Sequence, residues 1–459
     1  MHKIRRVIGQ HHRRFMVLLC VVYVVWILRI MTATRGESSL SAGGVFSLRL
    51  WERFPGRRLE ESNEGEDDSH LVRLEWRPIR SGWSRRLLVV KLTVLDWLGR
   101  WNVINSSYTS SGGQFLGYPA VSQIGPKPKR EWIRRLQYIQ SGSPHHRLII
   151  TDEVRRSLLD IPVARLEKDG LVSYPSHINS TGPASGICSW ERSGCLRSPE
   201  HGYVQDLDVL HSDPFSWVVN FDDGPLPPSE SLYHVLDQFN LTATHFWIGG
   251  NVLKHWRLAL VADRRGDHLA VHTWSHSHLT SLTNQQILGE LGWTMQIIAD
   301  LTGKVPRFFR PPYGNIDNRV RAIAKHVFGL ETVLWNFDTV DWALNQTYAT
   351  GDQVDAAESA GGAGVLSVET AVEGLREYIK QSSFAQRGAL VLEHELSDEA
   401  VEVFRRSCQL VLGHGASTST SGGDSHPFFR TVGPLPACLK EGEADWYNNN
   451  NNNNNNNQL

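Results

Sequence analysis

Two adjacent carboxylates stand where an apolar run meets a turn. Residues 220–225 read Asn-Phe-Asp-Asp-Gly-Pro, so Gly224 and Pro225 force the chain to turn directly after Asp222 and Asp223. Such a turn can aim both acidic side chains into one pocket. Two carboxylates so close together repel each other unless a cation separates their roles. An ordinary Asp-Gly turn is the alternative interpretation of this string on its own.

Two histidines are spaced so that they can share a metal ion. His272 and His276 enclose the string His-Thr-Trp-Ser-His, directly after an apolar run that ends at Val271. Neutral imidazoles at this spacing can converge on one metal, at a bend or on a helical turn. With one carboxylate they form a three-ligand set that leaves positions open for water and substrate, as a catalytic zinc requires. An isolated pair is more often structural, and we interpret His278 as a surface residue or a neighbour of the site.

Two consecutive prolines hold a third string extended. Residues 310–314 read Arg-Pro-Pro-Tyr-Gly. Because proline has no N–H, the next free backbone amide is that of Tyr313, which can point into a pocket and bind an oxyanion. Arg310 can pair with a carboxylate. The alternative interpretation is a rigid loop with a surface arginine.

Two further strings place polar side chains at the ends of apolar runs. Asp338 and Asp341 precede Trp342, whose indole can stack on a sugar ring. The apolar run 389–392 is followed by Glu393 and then by His394. On its own, a histidine in this position is more often a hydrogen-bonded core residue than a catalyst.

Short apolar runs alternate with helical periods between these strings. Buried strands are predicted at 216–221, 244–248, 268–271, 332–336 and 389–392. Helices are predicted at 232–239, 287–298, 320–327 and 368–379. Repeated strand–helix units predict an α/β fold whose parallel sheet is closed, or nearly closed, into a barrel. Chemistry in such a barrel belongs at the carboxyl ends of the strands, where the five strings lie.

Taken together and in this order, the five strings resemble the motifs of the polysaccharide deacetylase family, carbohydrate esterase family 4, with its NodB-homology domain. The wording His-Thr-Trp-Ser-His, Arg-Pro-Pro-Tyr-Gly and Leu-Glu-His-Glu-Leu looks most like the fungal chitin deacetylases. The resemblance covers about 185–447 and does not extend to the first part of the chain. Asn220 departs from the pattern, since the family usually has Thr or Ser there.

The resemblance implies a distorted (β/α) barrel and the metal-dependent hydrolysis of N-acetyl groups in chitin or chitin oligomers. By the same resemblance, Asp222 is the general base and Asp223, His272 and His276 bind the metal. The other expected site residues are Arg310, which orients Asp222; Asp341, which orients the general acid His394; the backbone amide of Tyr313, which holds the oxyanion; and Pro312, Trp342 and Leu392, which contact substrate.

Zinc is the expected cofactor, with cobalt or another divalent metal as the alternative. The expected partner is chitin or a related N-acetylated glycan. A deacetylase of peptidoglycan or xylan is the alternative substrate interpretation. A catalytically silent carbohydrate-binding cell-wall protein is the alternative from another class, and it would be marked by a missing ligand or acid. Each of the expected ligands and acids is present.

The composition is compatible with an uncharged substrate. The formal net charge is -1 over 459 residues. Nucleic-acid binding requires a concentrated basic surface, so a nucleic-acid partner is not expected. We expect a monomer.

The N-terminus has the composition of an export signal. Basic residues precede an apolar run at 15–28, which is shorter than the roughly 20 residues that a spanning helix needs. Residues 1–33 are therefore predicted to be a cleaved signal peptide or a signal anchor, the latter attaching the chain to a membrane through 15–31. Either reading predicts an extracellular or cell-wall location. Acceptor triplets for N-glycosylation begin at Asn105, Asn179, Asn240 and Asn345.

Apart from Cys20 in the apolar run, the cysteines form an even set of four, Cys188, Cys195, Cys408 and Cys438. One or two disulfides are predicted, with three full pairings open and buried free thiols as the alternative. Residues 34–184 show no sustained period, so an irregular region is expected there. The catalytic domain is predicted at 185–447, followed by an asparagine-rich tail at 448–459.

Overall fold

The computed structural model describes residues 117–141, 150–175, 187–344, 366–380, 387–413, 429–442 and 445–448. All of them lie in the second of two units into which the chain divides, Asp67–Leu459. The predicted export signal and membrane segment, the asparagine-rich tail from 449 onward and three of the four glycosylation triplets lie outside the described residues. Asn240 is exposed. No helix among the described residues combines the length and apolarity of a membrane span.

The strands are short. Their bounds are β1 (Arg165–Leu166), β2 (Val172–Ser173), β3 (Ser216–Val218), β4 (Asn220–Asp222), β5 (Thr244–Trp247), β6 (His268–Val271), β7 (Phe308–Phe309), β8 (Glu331–Thr332), β9 (Phe337–Asp338), β10 (Ala389–Leu392) and β11 (Thr431–Gly433). Strands β1 and β2 pair antiparallel with each other. The other pairs of strands are parallel.

The parallel strands close into a distorted barrel. One sheet has the order β4-β5-β6-β7-β8 and the other the order β11-β3-β10-β9. Only Val219 separates β3 from β4, and only residues 333–336 separate β8 from β9, so the chain passes to the other sheet at both edges of the five-stranded sheet. The barrel predicted from the alternating strands and helices is confirmed. Parallel strands in a closed ring present all of their carboxyl ends on one face.

Helices cover the outside of the barrel. Their bounds are α1 (Arg130–Ser141), α2 (Asp152–Asp160), α3 (Trp190–Ser193), α4 (Ser229–Gln238), α5 (Gly249–Lys254), α6 (Trp256–Arg265), α7 (Asn284–Thr302), α8 (Asn318–Ala322), α9 (Val368–Lys380), α10 (Asp398–Val411) and α11 (Leu435–Cys438). The predicted helix at 320–327 is α8 followed by a π-helical turn at Ile323–Val327. Of the predicted strand at 332–336, only Thr332 lies in a strand, at the end of β8, and residues 333–336 connect β8 to β9.

Apolar side chains fill the interior of the barrel. Fully buried examples from successive strands are Val218, Phe246, Ala270, Phe308 and Leu390. Burying the larger of these side chains, Val218, Phe246, Phe308 and Leu390, stabilises the fold by roughly 1.5–3 kcal/mol each. The packed interior leaves the strand ends as the place for a polar pocket.

Helix α7 begins with a complete capping box. The Thr283 hydroxyl accepts the backbone N–H of Gln286, and the Gln286 side chain accepts the backbone N–H of Thr283. This capping box satisfies two N–H groups that the first helical turn leaves without partners. Thr283 is thus the N-cap residue of α7.

Removing this cap is expected to destabilise the fold. Thr283→Ala should lower the free energy of unfolding by about 1 kcal/mol, because an N–H of the first turn loses its acceptor. Urea denaturation of the two proteins measures the difference. Thr283→Ser keeps the hydroxyl and is the matched control; equal loss in both variants would contradict the assignment to the cap.

The prediction of an irregular region at 34–184 is wrong for two described segments. Helix α1 buries Trp132, Leu136 and Ile139, and helix α2 buries Val154 and Leu158. These residues join the same core cluster as the inner face of α7. Each helix carries only a narrow apolar stripe among charged residues, so neither has a pattern strong enough to stand out in the sequence.

The four cysteines form one of the predicted disulfides and leave two free thiols. Cys188 and Cys195 form a disulfide that closes the loop around α3. Cys408 and Cys438 are buried free thiols. Burial raises the pKa of both thiols, which keeps them protonated and unreactive at neutral pH.

Candidate functional site

Strand ends deliver the candidate residues to one face of the barrel. Strand β4 ends at Asp222, β6 at Val271, β7 at Phe309 and β10 at Leu392. The predicted site residues lie at these ends or directly after them. A backbone bridge pairs Asp222 with His394, so the predicted base and acid come from neighbouring strands.

Asp223, His272 and His276 converge as a three-residue cluster. One ligand atom from each lies within 4.8 Å of the other two. The Asp223 Oδ1 atom is 3.3 Å from His272 Nε2 and 3.1 Å from His276 Nε2. The metal-ligand set predicted from sequence is therefore brought together.

Neighbouring groups fix how the two imidazoles present their nitrogens. His272 Nδ1 lies 2.8 Å from the backbone carbonyl oxygen of Arg310. A carbonyl only accepts hydrogen bonds, so Nδ1 carries the proton and a neutral His272 directs the lone pair of Nε2 at Asp223. His276 Nδ1 lies 3.0 Å from the hydroxyl of Tyr313, which orients the second ring.

This donor set fits a divalent cation. A nitrogen lone pair and a carboxylate oxygen repel each other at 3.3 Å unless a positive charge lies between them. The Asp223 Oδ1 atom is buried and has no hydrogen-bond partner within the part of the chain that the structure describes. One carboxylate with two imidazoles is a typical ligand set for catalytic zinc, with positions left for water and substrate.

The adjacent carboxylate, Asp222, has a different partner. The fully buried Arg310 donates from Nη1 to Asp222 Oδ1 at 2.8 Å and to Asn220 Oδ1 at 2.6 Å. The guanidinium also lies 4.2 Å above the ring of Phe246. Of the two adjacent aspartates, Asp222 thus pairs with an arginine and Asp223 faces two imidazoles. Asn220, the departure from the family pattern, takes part in holding Arg310.

His394 is held at two atoms by one carboxylate. Asp341 Oδ1 is 2.6 Å from His394 Nδ1, and Asp341 Oδ2 accepts the backbone N–H of His394 at 2.8 Å. Burial by itself lowers the pKa of His394, but the carboxylates of Asp341, Asp223 and Asp222 outweigh burial and raise it to about 10. The ring is therefore protonated at neutral pH, and its Nε2–H is available as an acid.

Tyr313 lies between the cluster and solvent. Its ring is half exposed and stacks on His278, with ring centroids 4.1 Å apart. His278 is thus a neighbour of the site through Tyr313, one of the two roles considered for it. Pro312 is buried beneath this turn.

The remaining substrate-binding candidates border the same face. Trp342 follows Asp341 and is 44% exposed, so an indole surface is available to a ligand. Leu392 ends β10 and is buried. Asp338 accepts the backbone N–H of Val340 at 2.7 Å, which shapes the turn that carries Asp341.

Several residues of the site have a left-handed backbone that sequence reasoning missed. The φ angles are 76° at Asp223, 65° at Thr273, 59° at His276, 60° at Tyr313 and 58° at Val340. Non-glycine residues adopt this conformation at an energetic cost, and clusters of them mark functional sites. No residue-type signal in the sequence distinguishes them.

A buried polar network behind the carboxylates was also missed. Glu395 accepts the indole N–H of Trp247 at 2.8 Å and lies 3.1 Å from His245 Nδ1. A Cβ added to Gly224 would come within 1.8 Å of Glu395, so only glycine fits where the turn passes this side chain. Burial lowers the pKa of His245, but Glu395 and Asp267 raise it to about 9. The glutamate directly after His394 was the available signal.

The sequence matches a profile of one known family. The family description is "Polysaccharide deacetylase", and the match covers residues 211–332. The matched range includes Asp222, Asp223, His272, His276 and Arg310, whereas Asp341 and His394 follow it.

Curated relatives are fungal proteins. "Chitin deacetylase 3" of Cryptococcus neoformans is 44% identical over 258 residues, which is 54% of this chain and 55% of the relative. "Chitin deacetylase" of Amylomyces rouxii is 32% identical over 275 residues, covering 59% of this chain and 60% of the relative. The chain thus spans little more than half the length of these relatives.

Solved structures with a similar arrangement include two deacetylases. The chitin deacetylase from the fungal pathogen Colletotrichum lindemuthianum is 17% identical with a TM-score of 0.42, over 53% of this chain and 96% of that chain. The Bc1960 peptidoglycan N-acetylglucosamine deacetylase is 22% identical with a TM-score of 0.38, over 51% of this chain and 94% of that chain.

Proposed function

We propose that this chain belongs to the polysaccharide deacetylase family, whose profile matches residues 211–332, and that it hydrolyses the N-acetyl groups of chitin or chitin oligomers. The products are acetate and a glucosamine unit. The observation that carries the proposal is that the two adjacent aspartates have different partners. Asp223 faces two imidazoles, while Asp222 pairs with Arg310 beside His394.

Asp223, His272 and His276 would hold the cation, with zinc as the metal that this donor set suits best. A divalent cation bound there polarises an amide carbonyl and lowers the pKa of water. The protein's own contribution to binding is orientation. The Arg310 carbonyl and the Tyr313 hydroxyl fix the two rings, so little reorganisation is needed when the ligands engage.

Asp222 acts as the general base. Its carboxylate accepts the proton of the attacking water, and the 2.8 Å contact with Arg310 holds it in position. The hydroxide adds to the carbonyl carbon of the acetamide group, and the carbonyl oxygen becomes an oxyanion. The backbone N–H of Tyr313, directly after two prolines without N–H groups, donates to that oxygen.

His394 acts as the general acid. The C–N bond breaks only if the nitrogen leaves as an amine, because an amide anion is too basic to be expelled. His394 Nε2–H supplies that proton, while Asp341 stabilises the imidazolium from the other ring nitrogen at 2.6 Å. On release of acetic acid and the amine, the proton held by Asp222 passes through solvent to His394, which restores the deprotonated base and the protonated acid.

The proposal that the substrate is chitin rests on the residues that surround the catalytic groups and on the names of the relatives. The indole of Trp342, 44% exposed, offers a face on which a sugar ring can stack, and Leu392 at the end of β10 would contact the acetyl methyl group. The curated relatives carry the name chitin deacetylase. Peptidoglycan and acetylxylan remain the competing substrates.

We also propose that the chain acts outside the cytosol, in the cell wall or the extracellular space. The Cys188–Cys195 disulfide supports an oxidising compartment. Attachment to a membrane through 15–31 stays a prediction from sequence.

An acetate-release assay on the purified full chain tests the function. Chitin oligomers should yield acetate, a zinc chelator should abolish release, and zinc added back should restore it. Acetylxylan and peptidoglycan serve as parallel substrates. Acetate release from acetylxylan or peptidoglycan but not from chitin oligomers would show that the substrate is not chitin. No release from any of the three would refute the proposed activity.

A further inference from the structure

Residues 117–129, which we call the strap, lie against the loop that carries the two histidine ligands. The strap precedes the matched family region by more than eighty residues of sequence and contributes none of the predicted catalytic groups. The loop runs from His272 to His276, and its central residue is Trp274. The strap contacts that residue from two sides.

Trp274 is fixed by the strap through its ring and its indole nitrogen. The indole N–H donates to the backbone carbonyl of Ala120 at 2.8 Å. The ring of Tyr118 is stacked nearly parallel to the indole, with centroids 6.3 Å apart and planes 5° apart. The Tyr118 hydroxyl donates to Asp300 on α7, which anchors the start of the strap. Trp274 itself is fully buried.

Glu290 on α7 joins the loop and the strap through one carboxylate. Its Oε2 atom accepts the backbone N–H groups of Trp274 at 2.8 Å and Ser275 at 2.9 Å. Its Oε1 atom accepts the Ser275 hydroxyl and the backbone N–H of Gly125, both at 2.7 Å. The side chain is fully buried, so this carboxylate has no alternative partner in water.

The backbone of the strap packs directly against glycines of two helices, where no larger residue would fit. A Cβ added to Gly289 on α7 would lie 1.7 Å from the carbonyl oxygen of Pro126, and one added to Gly250 on α5 would lie 2.3 Å from that of Val121. Contacts this close require glycine on the helix side. The strap is therefore docked along α7 and α5 at two separate points.

The loop needs such support because its backbone is strained. Thr273 and His276 have φ angles of 65° and 59°. Each non-glycine residue in this conformation costs on the order of 1–3 kcal/mol and persists only when its surroundings hold it. The bonds from Trp274 and Ser275 to Glu290 provide that restraint between the two ligands.

We propose that the strap and Glu290 form a positioning unit that fixes the His272–His276 loop for cation binding. A segment outside the recognised catalytic region is thereby part of the metal centre. This inference rests on the proposed function only in taking the loop's ligand to be a divalent cation.

Gly289→Ala tests the strap without altering the loop. The added methyl group pushes against the Pro126 carbonyl and displaces the strap, while alanine by itself strengthens a helix interior. Glu290→Gln tests the carboxylate, because an amide NH₂ cannot accept the N–H groups that Glu290 now accepts. Gly374→Ala on α9 is the matched control, since its Cβ meets only one atom, at ordinary contact distance.

Zinc affinity of the metal-free full chain is measured by competition with a chromophoric chelator, together with hydrogen exchange over 272–276. We expect both test variants to bind zinc about 10–100-fold more weakly than the parent and to exchange faster over the loop. The control should match the parent in both measurements.

Zinc affinity within twofold of the parent in both test variants would overturn the inference. So would unchanged exchange over the loop. If one variant fails to fold, as judged by circular dichroism, the other decides the outcome. If the parent releases no acetate from chitin yet the variants lose zinc affinity, the proposed function fails while the positioning unit stands.

Discussion

Asp222→Asn is expected to lower kcat/KM for chitin oligomers by roughly 10²–10⁴-fold while the protein continues to bind zinc. The substitution keeps the shape of the side chain but removes its capacity to take a proton from water. Arg310 can still donate to the amide oxygen at the position now occupied by Asp222 Oδ1, so the fold around the buried guanidinium should survive. The loss therefore reports the chemical step.

Steady-state acetate release and zinc stoichiometry together measure this prediction. Asp237→Asn, at an exposed position on α4, is the control for loss of one negative charge. Activity of Asp222→Asn equal to that of the parent would remove Asp222 from the mechanism. Loss of bound zinc along with activity would instead place Asp222 among the metal ligands.

The second large effect concerns the acid. Asp341→Asn should lower kcat by roughly 10²-fold at pH 9 and by less at pH 6, because Asp341 is the main group that raises the pKa of His394 to about 10. A raised pKa means that the protonated, active form persists until the pH rises through that value. Without Asp341 the pKa falls, so protonation and activity are lost at a lower pH.

The pH dependence of kcat between pH 6 and 10.5 gives the test. The alkaline limb should move down by at least one pH unit in Asp341→Asn, whereas Asp338→Asn should leave it near the parent position. If kcat of Asp341→Asn fell at the same alkaline pH as kcat of the parent, a group other than the Asp341–His394 pair would determine that fall. His394→Gln should abolish the limb along with most of the activity.

The ligand cluster could be predicted because it depends on short-range features. Asp223 and His272 directly follow buried strands, and strands of a parallel barrel end on one face, so their convergence follows from the order of the strings. His276 is brought in by a bend only four residues long. The same reasoning predicted Asp341 and His394 on this face, and in the structure they follow the ends of β9 and β10.

The supports of the cluster could not be predicted, since they come from distant parts of the chain. Gly125 and Trp274 meet at Glu290 across separations of 165 and 16 residues, and no local pattern encodes such pairings. Glu290 did offer a signal: it is an acid flanked by Ile287 and Leu291 on the apolar side of a helix. A charged residue there needs partners, because burial of an unpaired charge is costly.

Helix α1 has a practical consequence for anyone shortening this chain. Its Trp132 packs edge-on against Trp293 and Phe328 of the barrel, with centroids 5.4 Å and 5.7 Å apart. A truncated version that begins near 185, where the family resemblance starts, would leave those two aromatic faces in contact with water. Exposed patches of this kind promote self-association. Recombinant versions that begin before 117 should be the ones that stay in solution.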